Sequence, residues 1–232
     1  MMYVGGKARI SKDIAEIIST SGCNTLVSLF CGGCAIEAKV TGFDTLILND
    51  KHPYLIAMWK SLQQGYILPT QISEKQYKYI SEHKGDDPAL TGFVGFCCSF
   101  GGKWFGGYAR DRSGKRNFAM NGRRTIYRDL PHLQTATFIC KDYRDVDIPQ
   151  GAVIYADPPY NNTTGYSCEK FDSEAFWQYM RELALKGHKV YISEQTAPND
   201  FIAIWENPIR RTLDVNKKNN FIVTEKLFTY KK

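Results

Sequence analysis

The chain has 232 residues and a mass of 26.4 kDa, with 43% hydrophobic and 23% charged side chains and a formal net charge of +6. These proportions exclude a disordered chain, and the length predicts one substantial core carrying at most a small insert. No stretch approaches ~18 uninterrupted apolar residues, and Met1-Met2-Tyr3-Val4-Gly5-Gly6-Lys7 lacks the apolar block of a targeting signal, so a cytoplasmic protein with no membrane partner is expected.

In chain order, Ile10, Ile14, Ile17 and Ile18 fall at helical spacing behind a candidate cap at Ser11. Thr25 to Phe30 reads as a buried strand ending in Cys31-Gly32-Gly33, followed by a helix over 35–40 and a second short strand from Leu46 to Asp50. Pro53 is placed for the first turn of the next helix. From Gly85 to about Pro131 this rhythm breaks under many glycines, so residues 1–84 and 132–232 are expected to form the main domain and residues 85–131 an insert. Strands resume at 137–140 and 152–156, then a helix from Ser173 with Phe176, Tyr179, Met180, Leu183 and Ala184 on one face, then a strand at 189–193. Residues 210–215 and 221–229 alternate like a β-hairpin. The expected fold is an α/β wound sheet, mostly parallel, closed by an antiparallel C-terminal hairpin.

The seven cysteines, at 23, 31, 34, 97, 98, 140 and 168, are odd in number and scattered through core-like sequence, which predicts reduced thiols. Cys31 and Cys34 have no second pair at zinc-ligand spacing, so no metal site is expected. Charge is concentrated in the glycine-rich segment: between Lys103 and Arg128 eight basic side chains stand against Asp111 alone, a net +7. Trp104, Phe105, Tyr108, Phe118 and Tyr127 are interleaved with them, and the mixture of cations and stacking surfaces suits nucleic acid.

Three turns follow strands, where open α/β sheets bind ligands. Phe30-Cys31-Gly32-Gly33 lets backbone approach a ligand closely, and Asp50, about twenty residues on, suits ribose hydroxyls or, equally, a helix cap. The most specific is Asp157-Pro158-Pro159-Tyr160. Two prolines stiffen the turn and remove two backbone donors, so that a carboxylate and a carbonyl oxygen can face one amine with two hydrogens, while Tyr160 can lie over an aromatic ring.

With these motifs in this order, the chain resembles the Dam-like adenine-N6 DNA methyltransferases along nearly its whole length. The resemblance also rests on Tyr3-Val4-Gly5-Gly6-Lys7, similar to the family's Y-x-G-G-K opening, on the Asn49-Asp50 pair, and on Lys141-Asp142-Tyr143, similar to the short motif that precedes D-P-P-Y. It implies an S-adenosylmethionine-dependent methyltransferase fold. Tyr3, Gly6, Lys7, Phe30, Cys31, Gly32, Gly33, Asp50, Asp142, Tyr143 and Asp157 would face the cofactor. Asp157, Pro158, Pro159 and Tyr160 would be catalytic, acting on an adenine flipped out of double-stranded DNA. Lys103, Trp104, Arg110, Arg112, Lys115, Arg116, Asn117, Arg123 and Arg124 fall where the family reads its target. The family's GATC-reading pattern has only a partial echo in Ser113 to Phe118, so the recognition sequence stays open. Ser193-Glu194 occupies a position where further pocket residues are expected. A monomer or weak dimer is anticipated, a phage or prophage origin is suggested by the compact size, and pairing with a restriction nuclease is left open. The alternatives are a methyltransferase for RNA or a protein glutamine amide, in which asparagine usually replaces Asp157, and a DNA-binding relative that has lost catalysis.

Overall fold

The computed structural model describes Met1, Tyr3 and residues 5–111, 113–159, 171–212 and 220–231. Seven strands, β1 (Thr25–Ser28), β2 (Thr45–Asn49), β3 (Thr137–Ile139), β4 (Val153–Ala156), β5 (Lys189–Glu194), β6 (Phe201–Thr212) and β7 (Asn220–Tyr230), form one sheet in the order β3-β2-β1-β4-β5-β7-β6. The first five pair in parallel, and β7 enters antiparallel between β5 and β6. β1 and β4 are adjacent, the chain winding outward to one side from β1 and to the other from β4. A crevice therefore opens beyond their carboxyl ends, and every parallel strand delivers its following loop to that edge.

Among the described residues there are six helices: α1 (Ser11–Ser19), α2 (Pro53–Gln63), α3 (Glu74–Glu82), α4 (Pro88–Cys97), α5 (Phe118–Asp129) and α6 (Ser173–Leu185). α1 sets Ile14 and Ile18 against Leu26, Val153, Tyr155 and Leu227. On α6, Phe176, Met180 and Leu183 pack on Val27, Ile154 and Ile192 of the sheet.

Several details differ from the sequence reading. Ile10, not Ser11, occupies the N-cap of α1; Ser11 lies one position past the cap as the first helical residue, buried, where its hydroxyl donates to the Ala8 carbonyl at 3.0 Å. The expected helix over 35–40 is a single 3-10 turn, Glu37–Lys39. β6 begins at Phe201, well before residue 210, and runs through Pro208. As the edge strand it tolerates a residue without an N–H. The glycines of 85–131 do more than make loops: Gly92 brings α4 against α2 so closely that a Cβ would stand 2.1 Å from the Tyr54 carbonyl oxygen, and one on Gly122 of α5 would stand 2.6 Å from the Cys97 Cβ. Missing side chains here permit helix contact, which is why α4 and α5 share a core cluster with α2.

Candidate active site

The turn after β1 is held from both sides. The Cys31 N–H donates to the Asn49 carbonyl at 2.7 Å and the Gly32 N–H to Asp50 Oδ2 at 2.9 Å, while Asp50 Oδ1 accepts the His52 N–H at 2.9 Å. Asp50 is thus a buried carboxylate with each oxygen on one backbone donor; burial raises its pKa and the two donors oppose the rise. The Asn49 carboxamide donates to the carbonyls of Leu29 and Lys141 at 2.9 and 3.1 Å and accepts the Lys141 N–H at 3.0 Å, tying together the ends of β1, β2 and β3. Gly32 is left-handed at φ 47°, and a Cβ there would stand 3.0 Å from the Tyr3 ring. Tyr3 in turn packs on Phe96 with ring centroids 4.9 Å apart.

Gly5, at φ 76°, turns the chain so that Lys7 enters the crevice. The buried Lys7 ammonium lies 2.6 Å from Asp157 Oδ1 and 3.8 Å from Glu225 on β7. Asp157 and Pro158 follow β4 directly, and the Asp157 side chain keeps about a fifth of its exposure. Below lies a polar layer on one face of the sheet. Ser28 donates to Glu37 at 2.6 Å, and Tyr155 and Ser193 share a hydrogen bond at 2.9 Å. Burial, reinforced by the negative charge of Asp157, pushes Glu37 and the half-buried Glu194 each up to about 7. Burial also raises the thiols of Cys31 and Cys34, which are therefore protonated and poor nucleophiles.

Phe30 and Tyr143 meet at 5.2 Å within an aromatic group that includes Phe176 and Phe171, so Tyr143 is a buried wall of the crevice. Asp142 opens the 3-10 turn Tyr143–Asp145 and is held below its ordinary pKa first by Arg144, whose Nε donates at 2.8 Å; Lys51 stands 3.7 Å away.

The structure sorts the basic segment. Lys103, Lys115, Arg116 and Arg124 are exposed. Asp111 accepts the N–H groups of Lys115 and Arg116, each at 2.9 Å, and this fold of the loop carries both side chains at the surface. Arg110 instead pairs with Glu74, Arg123 donates to the Leu68 carbonyl at 3.0 Å and lies over Tyr127, and Asn117 caps α5 through Met120 at 2.9 Å. Trp104 is packed between His52, Tyr54 and Phe96, with His52 4.1 Å from its ring. Arg112 and Tyr160 lie outside the described residues. Residues that sequence reasoning missed are Glu225, Glu37, His52 and the exposed Phe100. Only Glu225 left a signal, a carboxylate on the Leu227 side of an alternating strand.

The sequence profile of the D12 class N6 adenine-specific DNA methyltransferases matches residues 3–86 and 91–227. No curated protein matches the chain. Among solved structures, a methyltransferase-designated protein, yhhF from Escherichia coli, is 10% identical with a TM-score of 0.39 over 97% of this chain and 87% of that one. The tRNA (m1A58) methyltransferase TrmI from Aquifex aeolicus is 11% identical with a TM-score of 0.40 over 96% and 68%. SMU.472, solved in complex with SAH, is 11% identical with a TM-score of 0.37 over 97% and 54%. The profile match takes in β1 to β6 and β7 as far as Leu227, and on it the chain belongs to the D12 class N6 adenine-specific DNA methyltransferases, enzymes that use S-adenosylmethionine.

Proposed function

We propose that the chain methylates the N6 amine of an adenine flipped out of duplex DNA, with Asp157 and the Pro158 carbonyl as acceptors for that amine. The observation that carries this reading is Asp157 at the end of β4, beside β1 and its glycine turn, with the buried Lys7 on its carboxylate at 2.6 Å. The crevice suits S-adenosylmethionine. The left-handed Gly32 keeps the turn free of a Cβ, Asp50 is a buried acceptor fit for ribose hydroxyls, and Phe30 offers an apolar ring packed on Tyr143. The bound sulfonium supplies an activated methyl, needing no metal or enzyme nucleophile.

Adenine's amine is a weak nucleophile because its lone pair is delocalised into the ring. Two acceptors on its hydrogens favour a pyramidal nitrogen with the lone pair directed at the methyl carbon. Such an amine is out of reach inside a duplex, so extrusion of the base is part of the reading, with Tyr160 as its stacking partner. Residues 85–131 serve as the target-reading segment, in which the exposed Lys103, Lys115, Arg116 and Arg124 meet phosphates or base edges. With Trp104 packed against the core, Phe100, 63% exposed near Lys103, is the aromatic side chain that the described part of the segment turns most to solvent.

The test is transfer of labelled methyl from S-adenosylmethionine to unmethylated duplex DNA with nucleoside analysis. N6-methyladenine from the wild-type chain, absent with Asp157→Ala that still binds SAH, supports the reading. No label in DNA despite SAH binding overturns it and brings RNA or protein amides forward.

A further inference from the structure

We propose that Trp104 is a positioning residue: its indole fastens the exposed part of the DNA-reading segment to the turn after β1, so that cofactor and duplex DNA bind with positive coupling.

The geometry is a closed ring of contacts with that turn on one side and Trp104 on the other. Along one arm the Gly32 N–H donates to Asp50 Oδ2 and the His52 N–H to Asp50 Oδ1, each at 2.9 Å, and the His52 ring stands edge-on to the indole with centroids 4.1 Å apart. Along the other arm the Tyr3 ring lies against Gly32, where a Cβ would stand 3.0 Å from it. Tyr3 packs on Phe96 and Phe96 on Trp104, each with centroids 4.9 Å apart. Tyr54 stacks on the indole at 5.6 Å, and Gly95 makes room for it, since a Cβ there would stand 2.2 Å from the indole. The seat is shaped to this side chain, and a smaller one would leave a void. Burial pushes His52 down to about 4 and its Nδ1 accepts the Leu55 N–H at 3.3 Å, so the ring that meets the indole is neutral and held in place.

Trp104 holds the part of the segment that faces solvent. Ser99 and Tyr108 bridge antiparallel, the Phe100 N–H donates to the Gly107 carbonyl and the Ala109 N–H to the Cys98 carbonyl, both at 2.8 Å. The Phe105 N–H fastens the intervening loop to α4 through the Gly95 carbonyl at 2.9 Å. Phe100 and Lys103 are the exposed side chains of this loop. A cofactor seated on Gly32 and Asp50 holds two members of the ring at once. Order that spreads through packed contacts to Trp104 reduces the ordering that DNA must impose on Phe100 and Lys103, which is positive coupling without a change of fold.

This inference rests on the cofactor seat proposed above, so its test reads the seat and the link separately. In amide hydrogen exchange without DNA, saturating SAH should slow residues 29–34 and also the bonded amides of Phe105 and Ala109, the latter by about fivefold or more. Trp104→Leu removes the indole; His52→Asn keeps a capping side chain on α2 and removes the ring that meets the indole. Both variants should bind SAH and protect 29–34 but lose most of the added protection at 105 and 109. With sheared unmethylated duplex DNA at saturation, the SAH Kd of wild type should fall by about tenfold and that of either variant by less than about threefold. If Trp104→Leu does not fold, His52→Asn carries the comparison. Protection of 29–34 without 105 and 109 in wild type overturns the link. Full protection at 105 and 109 in the folded variants also overturns it and leaves Trp104 a packing residue. Protection of neither stretch means that SAH is not seated on the turn, and seat and link then fail together. If SAH protects 29–34 but wild type labels no DNA, the substrate reading fails, and exchange at 105 and 109 decides the link.

Discussion

Replacing Asp50 with Asn tests, through two atoms, the construction of the turn after β1 that is proposed to seat the cofactor. The carboxylate accepts the Gly32 N–H through one oxygen and the His52 N–H through the other, each at 2.9 Å, at a site 9% exposed. An amide of the same shape offers one oxygen, and its NH2 must face the second N–H. One backbone donor is then left buried without an acceptor, costing roughly 1–3 kcal/mol. If the orphan is the Gly32 N–H, the turn under the cofactor loosens. On the function proposed above, the acceptor for the ribose is also halved in either orientation. Carried wholly into binding, that range corresponds to a ~5–150-fold rise in the SAH Kd. Calorimetric titration of wild type and Asp50→Asn with SAH at pH 7.5, with thermal unfolding alongside, measures both effects. An Asp50→Asn Kd within twofold of wild type, at an unchanged melting temperature, would refute the reasoning, since neither the turn nor the ligand would then depend on the second oxygen.

Two further outcomes follow from the same geometry. Glu37 is pushed up to about 7 by burial, so the folded chain holds its proton more tightly than the unfolded chain does. The stability that this confers is complete below the ordinary carboxylate range and is lost as pH rises through about 7; Glu37→Gln, which does not titrate, should match wild type near pH 5 and exceed it by roughly 1–3 kcal/mol at pH 8.5 in urea unfolding, and equal stability at the two pH values in both proteins would contradict the assignment. On the surface, the double variant Lys115→Ala/Arg116→Ala should bind duplex DNA more weakly at unchanged SAH affinity and lower the slope of log K against log salt by about 2, whereas Arg110→Ala, already paired with Glu74, should change that slope less; equal slopes for all three proteins would remove this loop from the DNA interface.

Much of the sheet was legible because buried parallel strands are short apolar runs that stop at glycine or Asp-Pro, and the stops at Cys31, Asp50 and Asp157 mark the carboxyl edge where β1, β2 and β4 converge. Local sequence therefore determined which turns face the crevice and that a D-P-P motif ends the central strand. It did not determine what a side chain does when its partner is remote in sequence. Trp104 reads as a stacking residue in a basic loop, yet Gly95 and His52 receive its ring against the core. Gly92 and Gly122 read as loop formers, yet they let helices touch. Glu225 reads only as a carboxylate on the Leu227 side of an alternating strand, and the antiparallel entry of β7 beside β5 brings its charge to Lys7. The physical reason is common to all three. Strand and turn propensity act over a few residues, whereas close packing and burial of charge depend on elements the chain joins only after folding, and these tertiary contacts decide which charged groups surround Asp157.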